Sequence, residues 1–141
     1  MSELNKLYDP VIKAHQANPY HFKKVNDPEF TIAANNPVCG DNYKLFIERD
    51  GEVISSIHFH GFGCAVSMAA ASVLAKNLEG KKIKDAIQLC STYLNMLQSG
   101  VRNEALPNEF YAFLAVQDFP ERHDCAALVW TELKKFLKDL K

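Results

Sequence analysis

The alternation of hydrophobic and polar positions predicts three β-strands in the first half of the chain. They are expected over Phe30 to Ala34, Asn42 to Arg49 and Glu52 to His60. The Asp50-Gly51 dipeptide is typical of a two-residue hairpin loop, because both positions tolerate positive φ. The second and third strands are therefore expected to pair antiparallel.

The same alternation assigns side chains to the two faces of the sheet. One face of the second strand is expected to carry Tyr43, Leu45 and Ile47, and the other Lys44, Phe46 and Glu48. In the third strand, the residues expected to share a face are Val53, Ile57 and Phe59.

Helical spacing of apolar residues replaces this alternation elsewhere. A first helix is indicated by Leu4, Leu7, Tyr8, Val11 and Ile12, with Asp9 able to cap a helix that begins at Pro10. Further helices are expected over Ala65 to Leu78, from Ile83 to Ser99-Gly100, around Asn108 to Leu114, and after Pro120. The last one carries an apolar face of Cys125, Leu128, Val129, Leu133, Phe136, Leu137 and Leu140.

Strands followed by helices indicate an α+β fold, with a small three-stranded antiparallel sheet packed against several helices. No repeat, low-complexity segment or linker-like stretch divides the 141 residues. Residues 1–141 are therefore expected to form one domain.

Composition and charge limit the classes of function. The chain is 48% hydrophobic and 23% charged, which is typical of a folded globular protein. Sixteen basic and seventeen acidic residues give a formal net charge of −1, so no basic field favours nucleic acid. No apolar run approaches the roughly 18 residues that cross a bilayer, and the first residues lack the layout of a secretory signal. We expect a cytoplasmic protein that binds neither nucleic acid nor membrane.

Four cysteines carry the candidate chemistry, at positions 39, 64, 90 and 125. Disulfides are a poor explanation for them in a reducing cytoplasm, and their spacing contains no CxxC pair. Cys90 falls in the apolar stripe of its helix and is expected to fill the core. The other three lie at the ends of predicted elements. Cys64 and Cys125 are also near helix N-termini, whose dipole favours thiolate.

Asp41 follows Cys39 by two residues, so on an extended segment both side chains point the same way. Three thiolates and one carboxylate can complete a tetrahedral zinc shell. The competing interpretation is that these cysteines are buried as small hydrophobic residues, and spacing alone does not decide between the two.

Three motifs surround these cysteines, in this order along the chain: Asn36-Pro37-Val38-Cys39-Gly40-Asp41, Gly61-Phe62-Gly63-Cys64-Ala65-Val66-Ser67-Met68, and Phe119-Pro120-Glu121-Arg122-His123-Asp124-Cys125-Ala126. Together they resemble the SufU branch of the IscU/NifU-type iron–sulfur cluster assembly proteins. The 61-residue separation of Cys64 and Cys125 is similar to that branch, which carries an insertion there relative to IscU.

The resemblance implies a zinc-dependent sulfurtransferase with the SufU/IscU-like fold. Its zinc ligands would be Cys39, Asp41, Cys64 and Cys125, and Arg122 would be the basic residue beside them. Cys39 would leave the metal and accept persulfide sulfur from a cysteine desulfurase of the SufS type. The sulfur would then pass to downstream iron–sulfur assembly proteins or apoproteins.

Two pairs of polar residues leave the ligand set open. Asp124 stands where IscU-type members place a histidine, and either His123 or Asp124 could replace Asp41 in some ligand state. An exposed histidine at a helix start is the favoured interpretation. His58 and His60 have the spacing of a metal pair on a strand, but a polar sheet face is favoured for them.

Three other functions compete with sulfur transfer. A scaffold would assemble a 2Fe–2S or 4Fe–4S cluster at the same ligands and hand it on, since thiolates suit iron as well as zinc. A structural zinc domain is less favoured, because closed sites are usually richer in cysteine or histidine. A cysteine hydrolase needs a base beside the nucleophile, and the sequence places no histidine there.

Overall fold

A computed structural model describes residues 9–37 and 40–140 of the chain. Of the predicted features, Leu4, Leu7, Tyr8 and Cys39 lie outside the described residues. The elements run in the order α1 (Pro10–Ala17), β1 (Phe30–Asn36), β2 (Asp41–Asp50), β3 (Val53–Phe62), α2 (Ala65–Leu78), α3 (Ile83–Ser99), a 3₁₀ helix (Asn108–Asp118) and α4 (Pro120–Asp139).

The three strands form one antiparallel sheet in the order β1-β2-β3, and α2 and α4 pack against it. This arrangement confirms the predicted α+β fold with a small three-stranded sheet. None of the helices in the described part of the chain is both long and apolar enough to span a membrane.

Local signals in the sequence set most element ends. Asp9 caps α1 by accepting the Val11 N–H at 2.8 Å, and Pro10 is the first helical residue, as expected. The bounds of α2 agree with the prediction, with Gly80 beyond its end at φ +87°. The short helix expected near Asn108 is a 3₁₀ helix that continues to Asp118.

The hairpin between β2 and β3 differs from its prediction by one residue. Asp50 pairs with Val53, so the two loop residues are Gly51 and Glu52 rather than Asp50 and Gly51. Gly51 has φ +61°, and a glycine at the first loop position favours this reversal of the chain.

A β-bulge changes which residues of β3 face the core. Glu48 pairs with Ser56 and Arg49 with Ile54, so Ser55 is an extra residue in β3. Ile54 is therefore fully buried, whereas Val53 is only partly buried. The prediction that Val53 shares a face with Ile57 and Phe59 is wrong for this reason.

Two buried hydrogen bonds join α4 to its neighbouring helices α2 and α3. Trp130 Nε1 on α4 donates to the Ala70 carbonyl on α2 at 3.1 Å. The Tyr93 hydroxyl on α3 donates to the Ala126 carbonyl on α4 at 2.8 Å. The first bond holds α4 against α2 and the second holds α4 against α3, with aromatic packing around Trp130.

Candidate metal centre

Asp41, Cys64 and Cys125 come together at one end of the sheet. Their potential ligand atoms all lie within 4.8 Å of one another. Asp41 is the first residue of β2, Cys64 is the N-cap of α2, and Cys125 lies on α4. Residues distant in sequence thus form a group of three possible ligands.

The position of Cys125 near the start of the last helix predicts that it falls in the first turn, and the structure places it farther along. Because α4 already begins at Pro120 and a turn takes 3.6 residues, Cys125 is in the second turn, not the first. It reaches the other two residues from the side of the helix rather than from its end.

Cys39 lies outside the described residues, but the chain on both sides of it reaches the site. Asn36 pairs with Asp41 across the β1–β2 ladder, and Gly40 N–H donates to the Asn36 carbonyl at 2.8 Å. Cys39 is therefore two residues in sequence from one described member of the group.

The carboxylate of Asp41 is buried and is held through one oxygen. Oδ1 accepts hydrogen bonds from the Cys64 N–H at 3.2 Å and from the Ser67 hydroxyl at 3.1 Å. Oδ2 is buried and has no hydrogen-bond partner among the described residues. A buried oxygen of this kind is costly unless a cation or donor satisfies it. The residues present therefore fit a metal ion.

The sulfur of Cys64 is placed to be a thiolate. It accepts the Ser67 N–H at 3.5 Å, so it caps α2. A hydrogen bond from Cys125 lowers the pKa of Cys64 to about 5; burial opposes this, and the hydrogen bonds from Ser67 add to it. The direction is the one expected at a helix N-terminus, where the Ser67 N–H contributes, but the largest cause is the hydrogen bond from Cys125.

The pKa of Cys125 is shifted in the opposite direction. The residue is fully buried, and its hydrogen bond to Cys64, its burial and the nearby Asp41 all raise its pKa. The two pKa values shift in opposite directions, which favours the thiolate at Cys64 and the thiol at Cys125 when no cation is bound. The expectation that the helix dipole makes Cys125 a thiolate does not hold in that state.

Arg122 is half-buried on α4 beside the two sulfurs. Burial alone would lower the pKa of Arg122, but the charge and hydrogen bonds of Cys64 and Cys125 outweigh it and raise the pKa. A fixed positive charge at this point favours negative charge on the sulfurs.

The other sequence candidates lie apart from this group. Asp124 is mostly exposed, with its Oδ1 4.0 Å from His123 Nδ1. His58 stacks on His21 at 4.3 Å, and burial lowers the pKa of His58. His60 lies against Phe22 at 4.7 Å. None of these four belongs to the three-residue group of possible ligands found among the described residues.

Cys90 is fully buried in the core, as its place in the apolar stripe of α3 predicts. Burial raises the pKa of Cys90 to about 12, so this thiol stays protonated at neutral pH.

Two polar residues of the site were not recognised from the sequence. The sequence indicates for Tyr43 only a place on one sheet face and for Ser67 only a place in the second motif. Their hydroxyl oxygens lie 2.8 Å apart, and Ser67 bonds Asp41. Tyr43 follows Asp41 by two on a strand, and Ser67 follows Cys64 by three on a helix. Those spacings put each beside a ligand and could have identified both.

Comparisons with known proteins agree with this geometry. Residues 7–126 match the family model described as the NifU-like N-terminal domain. The zinc-dependent sulfurtransferase SufU of Bacillus subtilis (strain 168) is 33% identical over 95% of this chain and 91% of its own. The iron–sulfur cluster assembly scaffold protein IscU of Streptococcus pyogenes serotype M1 is 34% identical, over 98% of this chain and 87% of its own.

A solved structure has the same fold. FiSufU of the thermophile Fervidobacterium islandicum AW-1 superposes with a TM-score of 0.86 at 26% identity, covering 93% of this chain and 96% of that one. Its name marks it as a proposed iron–sulfur cluster assembly scaffold protein for the SUF system.

Proposed function

The chain belongs to the NifU-like N-terminal domain family of iron–sulfur cluster assembly proteins, and on that premise we propose that it is a zinc-dependent sulfur carrier. In this proposal Cys39 accepts sulfur from the persulfide of a cysteine desulfurase. The observation that carries it is the convergence of Asp41, Cys64 and Cys125, in which one carboxylate oxygen of Asp41 has no hydrogen-bond partner within residues 9–37 and 40–140.

The proposed zinc ligands are Cys39, Asp41, Cys64 and Cys125. Bound zinc would keep thiolates deprotonated at neutral pH and would take no part in redox chemistry. Asp41 is preorganised for such a site because its other oxygen is already held, and Arg122 offsets part of the negative charge of three thiolates and a carboxylate.

The sulfur transfer itself is a thiolate exchange. The Cys39 thiolate attacks the terminal sulfur of the desulfurase persulfide. The S–S bond of the desulfurase breaks, an S–S bond forms on Cys39, and the desulfurase cysteine leaves as a thiolate. The proton of the terminal sulfur stays with it, so charge and atoms balance. Arg122, whose charge lies beside Cys64 and Cys125, would favour the anionic form of the new persulfide.

The SufU name of the Bacillus relative supports a desulfurase of the SufS type as the donor. We propose downstream iron–sulfur assembly proteins or apoproteins as recipients. We propose the cytoplasm as the compartment, because cysteines persist as free thiols under reducing conditions. We also propose that residues 1–141 act as one domain, supported by the single continuous core.

Substitution of Cys39 tests the assignment. The wild-type protein, incubated with a SufS-type desulfurase and cysteine, is expected to gain one sulfur atom on Cys39 and to raise desulfurase turnover, as read by mass spectrometry and alanine release. Cys39→Ala is expected to lose both effects. The buried Cys90→Ala variant is the control and should keep them. Persulfide on a Cys39→Ala protein, with stimulated turnover, would contradict the proposal.

A second function is favoured by the IscU relative, which is as similar to this chain as SufU and is named a scaffold. A scaffold would hold a 2Fe–2S or 4Fe–4S cluster at these ligands as cargo. Metal analysis of protein purified without oxygen separates the two functions. Colourless protein with one zinc per chain supports sulfur transfer, and brown protein with iron and sulfide supports the scaffold.

A further inference from the structure

We propose that Tyr43 and Ser67 are positioning residues that commit Asp41 to bind the metal through a single oxygen, Oδ2. The inference rests on the proposed metal site and adds to it two residues that are not ligands. It explains why, among the described residues, Asp41 Oδ1 accepts two hydrogen bonds and Oδ2 accepts none.

Oδ1 of Asp41 is already saturated by protein donors. A carboxylate oxygen has two lone pairs in the plane of the group. The Cys64 N–H at 3.2 Å and the Ser67 hydroxyl at 3.1 Å account for both. A cation that reaches Asp41 therefore finds free electron density on Oδ2, the buried oxygen without a partner among the described residues.

The direction of the hydrogen bonds follows from the number of hydrogens. Ser67 has one hydroxyl hydrogen and three acceptors near it: the Cys64 carbonyl at 3.0 Å, Asp41 Oδ1 at 3.1 Å and, farther away, Cys64 Sγ at 3.7 Å. We assign the hydrogen to Asp41 Oδ1, because a charged oxygen at this distance attracts it more strongly than a neutral carbonyl. The Tyr43 hydroxyl, 2.8 Å from Ser67 Oγ, must then be the donor in that pair. The chain of donation is Tyr43 to Ser67 to Asp41, and it satisfies every hydroxyl hydrogen.

Burial makes this chain of bonds rigid. Tyr43 and Ser67 are 0% and 1% exposed. Buried hydrogen-bonded side chains have one low-energy arrangement, which fixes the rotation of the Asp41 carboxylate.

The backbone of Gly63 packs against the oxygens of Tyr43, Ser67 and Asp41. A Cβ at this position would overlap Ser67 Oγ, Asp41 Oδ1 and the Tyr43 hydroxyl at once. The backbone therefore lies directly against the three oxygens and leaves them no room to exchange partners.

The experiment measures the zinc affinity of the full chain by competition with a chromogenic chelator. Ser67→Ala is expected to weaken zinc binding by about 10–100-fold, the usual effect of removing a group that orients a ligand. Tyr43→Phe, which keeps the ring, is expected to weaken it by a smaller factor, about fivefold. The double variant should match Ser67→Ala alone, because Tyr43 acts only through Ser67.

Ser72→Ala is the matched control. Ser72 lies on the same helix and is equally buried, but its hydroxyl bonds His15 and Tyr20 rather than the site. This variant should lose stability and keep the zinc affinity of the wild type. If the loss of any buried hydroxyl weakened zinc binding, Ser67→Ala and Ser72→Ala would lower the zinc affinity equally.

Spectra give a readout that does not depend on affinity. In Co²⁺-substituted Ser67→Ala, the ligand-field bands are expected to shift as Asp41 rotates or binds through both oxygens, while the thiolate-to-metal bands persist. Wild-type zinc affinity in both single variants, or effects that multiply in the double variant, would overturn the inference. If Ser67→Ala does not fold, Tyr43→Phe decides alone. A wild-type protein that binds no zinc would instead refute the proposed function.

Discussion

At the residue scale, Gly63 is the position where the site tolerates least change. Its φ is not in the positive range, so its requirement for glycine is one of space rather than of backbone conformation. The space that a Cβ would need is taken up by two hydroxyl oxygens, of Ser67 and Tyr43, and by one carboxylate oxygen of Asp41.

Gly63→Ala is therefore expected to destabilise the fold by about 1–3 kcal/mol through overpacking and to abolish stoichiometric zinc binding. Thermal unfolding and metal analysis measure the two effects. Gly80→Ala is the control: its φ of +87° makes alanine strained, but no atom lies near its Cβ. It should lose stability and keep zinc. Full zinc content in Gly63→Ala would show that the oxygens can move.

The sequence singles out three residues that the structure brings together, but not the polar residues beside them. Asp41, Cys64 and Cys125 are recognisable because they lie in short motifs that can be read directly along the chain. Tyr43 and Ser67 are not, because their role depends on the first turn of α2 lying against the start of β2. That contact is set by tertiary packing, and a buried tyrosine in a strand is usually core.

At the element scale, Ser72 joins α2 to the segment that follows α1. Its hydroxyl accepts the Tyr20 N–H at 2.8 Å and lies 2.7 Å from His15 Nδ1. His15 Nε2 in turn lies 2.8 Å from Glu109 Oε1 on the 3₁₀ helix. One buried hydroxyl thus connects three elements.

Ser72→Ala is expected to lower the free energy of unfolding by about 1–3 kcal/mol, because it removes the partner of a partly buried backbone N–H and of a partly buried histidine nitrogen. Urea denaturation measures the change. Thr92→Ala, which removes a hydroxyl that bonds the Gln88 carbonyl on the surface of α3, should change it by less than about 0.5 kcal/mol. Equal effects in the two variants would contradict this account.

Element bounds were predictable where a residue type forces them. Asp9-Pro10 starts α1, and Gly80 and Gly100 follow the ends of α2 and α3. The bulge at Ser55 was not predictable, since Val53 and Ile54 are both apolar and only pairing with β2 decides which of them faces the core. The 3₁₀ winding of residues 108–118 is likewise a result of packing against α3 and α4.

At the scale of the whole molecule, the proposed zinc would join β2, α2 and α4, which are connected elsewhere mainly by apolar contacts. A ligand that binds only the folded chain stabilises it by mass action, by about 2.7 kcal/mol when free zinc is 100 times Kd. Chelation should therefore lower the unfolding temperature of the whole chain.

This stabilisation is expected to depend on pH. Binding requires both thiolates, and Cys125 keeps its proton in the metal-free protein, so zinc binding releases protons. The rise in unfolding temperature with zinc should be larger at about pH 8 than at about pH 6, where protons compete for the sulfurs. Calorimetry with and without zinc measures it, with Cys90→Ala as the control. Equal rises at the two pH values would contradict it.

The N-cap role of Cys64 has a practical consequence for separating architecture from chemistry. Its sulfur occupies the place that serine or threonine oxygen takes at most helix starts. An oxygen in that place would still anchor the amide of Ser67 while offering a hard donor instead of a soft one. Cys64→Ser would thus keep the N-cap hydrogen bond of α2 and remove the affinity of this position for thiophilic ions.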